Sequence, residues 1–432
     1  MRRKINKLKT NAEFMRYFNN TSWLFLDKLI KMGVGFFVII YLTRYLGPEL
    51  FGLLSYAQSF VGIFAAFATL GIDAMLVREL TKRNQNEDEL IGTAFTLKVV
   101  ASIIGIFTVF VINLGITDRD AALLTNIISL MLLFQCPNCL DSYFQAKIKS
   151  KYSAISNSVA FIVSSALKLG LVYFEAHIEY FAYSLVFDAM LIAVGYLIIY
   201  KHQNKSFFKL KFNKKIAFYF IKNGWPLMMV TMAAFIYTRT GQVMIKYMIG
   251  NQAVGYYASA ARVSELFYFI PLLITQSIFP KIIEIKSKSE QEYFDFLERL
   301  YRLLIWLVLP IAIGLFVFSE AIVRILYGKE YSEASGVLSI LAFGIVFNAI
   351  GTVSTKILYV EHYERKYLYR SVMGVFINII LNFILINIYG VNGAAVATLI
   401  TLFILYYVYD VFDKDLHRFY RLKLLCFLPN RF

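Results

Sequence analysis

The chain has 432 residues, 59% of them hydrophobic and 17% aromatic, with a mean hydropathy of +0.61. Ordinary globular domains are about 45–50% apolar, so this composition excludes a soluble fold. The net charge of +16 would suit a nucleic-acid binder, but the basic residues are spread through tails and short loops between apolar runs, which argues against one.

A basic tail, 1–21, opens the chain with Arg2, Arg3, Lys4, Lys7, Lys9 and Arg16. A membrane-crossing helix needs about 20 apolar residues, and the first half offers such runs at 22–43, 51–71, 92–114, 121–144, 153–175 and 180–200. Between the second and third lies a mixed-charge stretch, 73–91, with Arg78, Glu79, Lys82, Arg83 and Glu87-Asp88-Glu89, predicted as a cytoplasmic loop or surface helix. Cys136-Pro137-Asn138-Cys139 in the fourth run has C-x-x-C spacing without a second Cys or His pair, so packing residues at a proline kink are expected. A Lys-rich linker, 201–217, separates the halves. The second half has runs at 226–248, 254–279, 300–319, 334–356, 367–388 and 391–409, and an amphipathic interfacial stretch at 280–299. Pro271 and Pro310 are expected to kink two of these spans. A basic and aromatic tail, 410–432, reads as interfacial.

The fold class predicted is therefore all-α and membrane-embedded, with about twelve helices in two six-helix bundles, 22–200 and 218–409. The basic tails, linker and even-numbered loops fall on one side, while few cations, such as Arg44, Arg119 and Arg324, fall on the other. This asymmetry predicts that both termini are cytoplasmic. No cleavable signal peptide is evident at the start.

The two halves also echo one another. Tyr45-Leu46-Gly47-Pro48-Glu49-Leu50-Phe51-Gly52 parallels Met248-Ile249-Gly250-Asn251-Gln252-Ala253-Val254-Gly255, and the stretch from Gly115 to Leu124 parallels that from Gly328 to Val337. With six spans each, the repeats should be parallel, a ground plan of secondary transporters with the substrate between the repeats.

Catalytic motifs are scarce. No phosphate-binding loop, zinc-protease motif, nucleophile elbow or Asp-rich diphosphate cluster is present, and the four histidines lie in loops or tails. The informative residues are charges inside spans, because a charge at mid-bilayer costs at least about 2.5 kcal/mol and marks an interior or a pathway. They are Asp27 and Lys31 in the first span, Lys98 in the third, Lys168 in the fifth, Asp188 in the sixth, Arg239 in the seventh, and Arg262 with Glu265 in the eighth. Spacing allows Asp27 to pair with Lys31 and Arg262 with Glu265 along one helix face. Lys98, Lys168 and Arg239 have no carboxylate so placed on their own helices, which predicts a cationic lumen for an anionic substrate. The alternative for Lys168 is a structural pair with Asp188. The span amides Gln58, Gln242, Gln276, Asn348, Asn378 and Asn382 are expected to bond between helices, with lining of the lumen as the alternative.

Several stretches in this order carry a resemblance. Arg44-Tyr45-Leu46-Gly47-Pro48-Glu49 with Phe51-Gly52, Gly71-Ile72-Asp73 followed by Val77-Arg78-Glu79, Ile278-Phe279-Pro280, and Tyr389-Gly390-Val391-Asn392-Gly393-Ala394-Ala395-Val396-Ala397-Thr398 resemble signatures of the polysaccharide transporter family. These are the O-antigen and oligosaccharide flippases of the multidrug/oligosaccharidyl-lipid/polysaccharide (MATE-like) superfamily. One departure is Gly241, two places after Arg239, where such proteins often carry an acid. The chain also ends after twelve spans, where many relatives have fourteen.

The resemblance implies a non-enzymatic transporter of the bacterial cytoplasmic (inner) membrane. Its substrate would be a polyprenyl-diphosphate-linked oligosaccharide, moved to the outer leaflet by alternating access. Arg239, Lys31, Lys98 and Lys168 would bind it, with Asp27, Asp188, Arg262 and Glu265 as charge partners or coupling groups. It implies no cofactor beyond a coupling H+ or Na+. Besides membrane lipids, a polysaccharide polymerase and a chain-length regulator would be its partners. The rival readings are a lipid II flippase, a cation-drug exporter of the same superfamily, and a membrane glycosyl polymerase or ligase.

Overall fold

A computed structural model describes residues 2–82, 86–203 and 205–426, with side chains except at residues 2–21, Leu24 and Phe208. The basic side chains of the N-terminal tail, with Arg83 and Arg431, lie outside the described residues. No strand occurs among the described residues. That is the physical consequence of an apolar chain in lipid, where every backbone N–H and C=O must be satisfied within its own segment.

The helices, in chain order, are α1 (Arg2–Ala68), α2 (Ile72–Thr81), α3 (Glu87–Asn113), α4 (Arg119–Ala146), α5 (Ser150–Tyr173), α6 (Ile178–His202) and α7 (Lys214–Met248). They continue as α8 (Asn251–Lys288), α9 (Glu290–Val317), α10 (Ser319–Tyr327), α11 (Ala334–Val360), α12 (Glu364–Phe412) and α13 (His417–Leu425). Among the described residues, nine helices are long and apolar enough to cross a membrane. Two of them each hold two predicted spans: α1 leaves helical geometry at Gly47 (φ 67°) and α12 at Gly390 (φ 59°). Only glycine adopts these positive φ values without a steric penalty, so the bends are written at these two positions. The prolines expected to bend the chain lie differently: Pro310 sits within α9, and Pro271 follows a 3-10 turn, Leu266–Tyr268, inside α8. The seventh predicted span, within α7, is helical over 35 residues but too polar to count among the nine.

Local chemistry sets several starts. Asn86 caps α3 by accepting from the Asp88 N–H, with Glu87, Asp88 and Glu89 in its first turn. Ser289 accepts from the Glu292 N–H at the start of α9, the near half of a capping box. Large side chains such as Phe107 (65% exposed), Phe376 and Phe383 face outward, which fits a lipid-contacting surface.

The chain packs as two compact units. One comprises Met1–Tyr45 with Phe60–Thr231, the other Leu46–Ser59 with Met232–Phe432. The packing boundary therefore falls inside α1 and α7 and not in the 201–217 linker. In the first unit, Ile72, Leu76, Leu90, Ile91, Leu140 and Phe144 form part of a buried core joining α2, α3 and α4. The linker is fastened to this unit. Lys211 N–H donates to the Asp88 carbonyl (3.2 Å), Asn213 N–H to Thr93 Oγ1 (2.9 Å) and Asn213 Nδ2 to Glu89 Oε2 (2.5 Å). Polar backbone next to a membrane needs such partners, and the strap supplies them.

In the second unit the repeated motifs meet. A Cβ on Gly52 would lie 1.8 Å from the Asn251 carbonyl oxygen, and one on Gly255 would lie 2.0 Å from that of Pro48. Each motif's last glycine thus lies against the other motif's opening turn, a reciprocal backbone crossing that tolerates no side chain at either position.

Candidate functional site: charged pairs within the spans

In the first unit, α1 presents Asp27 and Lys31 one turn apart, with Lys31 Nζ 3.1 Å from Asp27 Oδ2. Asp27 is buried and its other oxygen accepts from Ser158 of α5 (2.8 Å), so the carboxylate ties α1 to α5. Asp188 of α6 holds a buried Oδ1 with no hydrogen-bond partner among the described residues, and the charges that act on it are those of Lys168 and Lys31. The expected Lys168 and Asp188 association is thus electrostatic, shared with Lys31.

Lys98 of α3 is 5% exposed at its side chain and bonds the carboxylate of Asp73 in α2. Asp73 itself keeps 44% of its side chain exposed, so the pair is sealed on its cationic side and open on its anionic side. The charge of Asp141 in α4, which accepts from Gln145 at 2.9 Å, acts on the same neighbourhood. Asp73 and Asp141 were not among the candidates drawn from the sequence. Asp73 sits at the edge of a span, where a charge raises no alarm, and the Gly71-Ile72-Asp73 motif was the available signal.

In the second unit, Arg239 of α7 lies 3.5 Å from Glu265 of α8, with 26% and 33% of their side chains exposed. The contact expected between Glu265 and Arg262 thus goes to Arg239, and Glu265 acts on Arg262 through its charge alone. Arg262 instead donates to Gln58 Oε1 (3.1 Å), an acceptor from another helix that helix periodicity does not reveal. Glu265 also gives Arg239 the carboxylate that Gly241 does not supply. The Gly241 position faces neutral groups: a Cβ there would lie 3.4 Å from Asn382 Oδ1 and 3.7 Å from the Tyr257 hydroxyl. Gln58 and Gln242 bond another helix, whereas Asn378 and Asn382 find their partners within α12. Ser59 donates to Gln242 (2.5 Å), and Asn378 donates to Thr401 (3.2 Å) while accepting from Asn382 (2.9 Å). In a medium without water such bonds replace solvation, which accounts for their burial.

The cations expected to stand alone therefore each have a carboxylate from another helix in contact or in electrostatic reach. The exposure of these pairs decides what they can do. A pair with both members partly exposed can exchange its carboxylate for an anionic ligand, because a phosphate group offers a guanidinium or ammonium more acceptor oxygens than a carboxylate does. Outside the spans, Glu79 of α2 gathers Lys82 (3.1 Å), Tyr219 (3.0 Å) and Arg78 (3.2 Å). Burial pushes its carboxyl up, but these donors outweigh it and hold Glu79 below the ordinary glutamate range. Among the described residues no group of three or more His, Cys, Asp or Glu is arranged to hold a metal.

Comparison with known proteins adds a family and a fold. The family model described as "Polysaccharide biosynthesis protein" matches residues 17–286. A Haloferax volcanii protein named "Probable low-salt glycan biosynthesis flippase Agl15" is 25% identical over 378 residues, covering 87% of this chain and 79% of its own. "Capsular polysaccharide biosynthesis protein CapF" of Staphylococcus aureus is 25% identical over 391 residues, covering 87% and 94%. Among solved structures, "Lipid II flippase MurJ, inward closed conformation" superposes with a TM-score of 0.72 at 17% identity, over 93% of this chain and 90% of that one. The likeness establishes a shared all-helical fold.

Proposed function

This chain belongs to the polysaccharide biosynthesis protein family, and on that premise we propose that it is a flippase carrying a polyprenyl-diphosphate-linked oligosaccharide from the cytoplasmic to the outer leaflet. The observation that carries this reading is the half-open Arg239–Glu265 pair inside the spans. A diphosphate is a multiply charged head that cannot cross about 30 Å of hydrocarbon unaided, and sugar hydroxyls would lose their hydrogen bonds in lipid. A span cation held by an exchangeable carboxylate answers the first problem. Arg239 binds the diphosphate when it arrives, and Glu265 takes the guanidinium back when it leaves, so no bare charge remains at either stage. Lys31 serves in the same way, because its partner Asp27 has Ser158 as a second donor. Lys98 and Lys168 extend the path within the first unit, with Asp73 as the charge partner of Lys98 and Asp188 as that of Lys168.

Substrate would pass by alternating access of the two repeats, with the lipid tail left in the bilayer. No bond is made or broken in this reading, so the protein is a transporter and not an enzyme, and it needs no cofactor. A gradient of H+ or Na+ is the proposed drive. The protein would reside in the cytoplasmic membrane with both termini inside, handing its substrate to a polymerase and chain-length regulator on the outer face.

The test is Arg239→Ala in the native cell, with the leaflet position of the lipid-linked oligosaccharide as the readout. Loss of surface glycan, with precursor accumulating on the cytoplasmic side and protein level unchanged, is expected. Normal surface glycan would overturn the assignment. Glycan exported as single repeat units would point to a polymerase, and loss of growth instead of surface glycan would point to the lipid II reading.

A further inference from the structure

The transport reading leaves unused a buried charge cluster at the carboxyl end of the second unit. There α13 packs back on the bundle: Phe419 stacks on Phe294 of α9 at 5.4 Å between ring centres, and Cys426 donates through Sγ to the Glu298 carbonyl at 3.4 Å. The segment that the sequence suggests is interfacial is thus docked by one face, with Phe419, Leu422, Lys423 and Cys426 buried. Within α13 stands a lysine with no exposed surface. Lys423 Nζ reaches Asp410 Oδ2 at 2.5 Å and the Tyr406 carbonyl at 2.8 Å. Both acceptors belong to or adjoin the π-helical turn Ile404–Val408 of α12. Such a turn loosens the regular backbone ladder and recurs at functional positions.

A second buried cation faces the same carboxylate. Arg370, also in α12, is 2% exposed and lies over the Tyr406 and Tyr367 rings at 5.2 and 5.7 Å. Its Nη1 stops 3.9 Å short of Asp410 Oδ1. Neither that oxygen nor Arg370 Nη2 has a hydrogen-bond partner among the described residues. Between them is a cavity of about 10 Å³ lined by Tyr301, Ser354, Arg370, Asp410 and Lys423. Two buried cations therefore share one carboxylate, and only Lys423 engages it fully. In a lone buried ion pair, losing one member strands the other in a low-dielectric interior. Here a second cation is in place with atoms unsatisfied.

We propose that α13 is a releasable latch in which Lys423 and Arg370 alternate on Asp410. Docked, Lys423 holds the carboxylate and Arg370 waits on its aromatic platform. Undocked, Arg370 closes the short gap, Asp410 stays neutralised, and α13 leaves the ends of α9 and α12 uncovered. The exchange lowers the cost of undocking because Asp410 keeps a cationic partner in both states. This inference stands on the second unit alone and does not depend on what the protein transports.

A native thiol reports the latch. Cys426 is fully buried next to the docked helix, while Cys136 and Cys139 are buried in the first unit and serve as internal controls. The full-length protein in detergent would be treated with N-ethylmaleimide and each cysteine read by mass spectrometry, in the parent and in Lys423→Met, Arg370→Met and the double variant. In Lys423→Met the protein should remain monodisperse with Cys136 and Cys139 protected, and Cys426 should react at least tenfold faster than in the parent. In Arg370→Met, Cys426 should react no faster than in the parent, and the double variant should fail to fold. A folded Lys423→Met protein with Cys426 still protected would overturn the latch. So would a Lys423→Met protein that does not fold, since Arg370 would then be unable to take over the carboxylate.

Discussion

The Arg239–Glu265 pair and the Asp410 cluster lie in the same unit and use the same chemistry, yet their surroundings differ. Arg239 and Glu265 keep about a quarter and a third of their side chains exposed, whereas Lys423 and Asp410 keep 0% and 4%. A half-open pair holds its charges without committing them, since solvent or a ligand can replace either partner at small cost. A sealed cluster has desolvated its charges, so its members depend on one another. Exposure, more than the presence of a charge in a span, separates a binding pair from a structural one. The Lys98–Asp73 pair stands between these limits, sealed at the lysine and open at the aspartate.

This ordering gives graded expectations. Asp410→Ala strands Lys423 and Arg370 together, so a loss of about 3–5 kcal/mol is expected. It should appear as the disappearance of monodisperse protein on extraction, and an Asp410→Ala protein as heat-resistant as the parent would erase the contrast. Asp73→Asn leaves Lys98 buried without its carboxylate and should cost about 1–3 kcal/mol, together with a tenfold or greater fall in export. Melting temperature and surface glycan measured on the same preparation would show whether both effects occur, as an intermediate pair requires.

Glu265→Gln should change stability by less than about 1 kcal/mol, because the pair is half-open. It removes the carboxylate that recovers Arg239, so substrate should bind more tightly and leave more slowly. Flipping in proteoliposomes should show a lower half-saturation concentration and a lower maximal rate. A drop in stability without a kinetic change would move this pair to the sealed class.

The smallest effect belongs to Glu87 at the start of α3, which bridges Lys147, just past α4, to Lys205 of the fastened linker. Burial works to raise its carboxyl, but the two ammonium groups prevail and hold it below the ordinary glutamate value of 4.5. A carboxyl lowered on folding contributes stability above its unfolded pKa, and that contribution is lost as the pH falls through the folded value. Glu87→Gln should therefore cost a few tenths of a kcal/mol at pH 7, with the difference from the parent shrinking as the pH falls below the ordinary glutamate value and vanishing below the lowered folded one. Melting curves of both proteins across that range would detect it, and a constant difference would remove Glu87 from the strap.

Much of the molecule was legible before the structure. Apolar runs of membrane length define spans because lipid leaves the backbone no alternative to helix, and a helix satisfies its hydrogen bonds from local sequence alone. The charges within spans could be named for the same reason, since each is costly wherever the helix goes. The repeated glycine motifs were visible too, although their meeting through Gly52 and Gly255 was not. What the sequence could not determine is partnership. Helix periodicity exposes only partners three or four residues apart, and it suggested Arg262 for Glu265. The partner in the structure, Arg239, comes from α7, and Asp73 reaches Lys98 from a different helix as well. The docking of α13 likewise depends on Asp410 and Tyr406 being presented together by a π turn, which no residue pattern announces. Local hydrogen bonding and the cost of charge in lipid are properties of each segment and travel with its sequence. Which carboxylate neutralises which cation depends on how helices distant in the chain pack, and tertiary structure alone decided that.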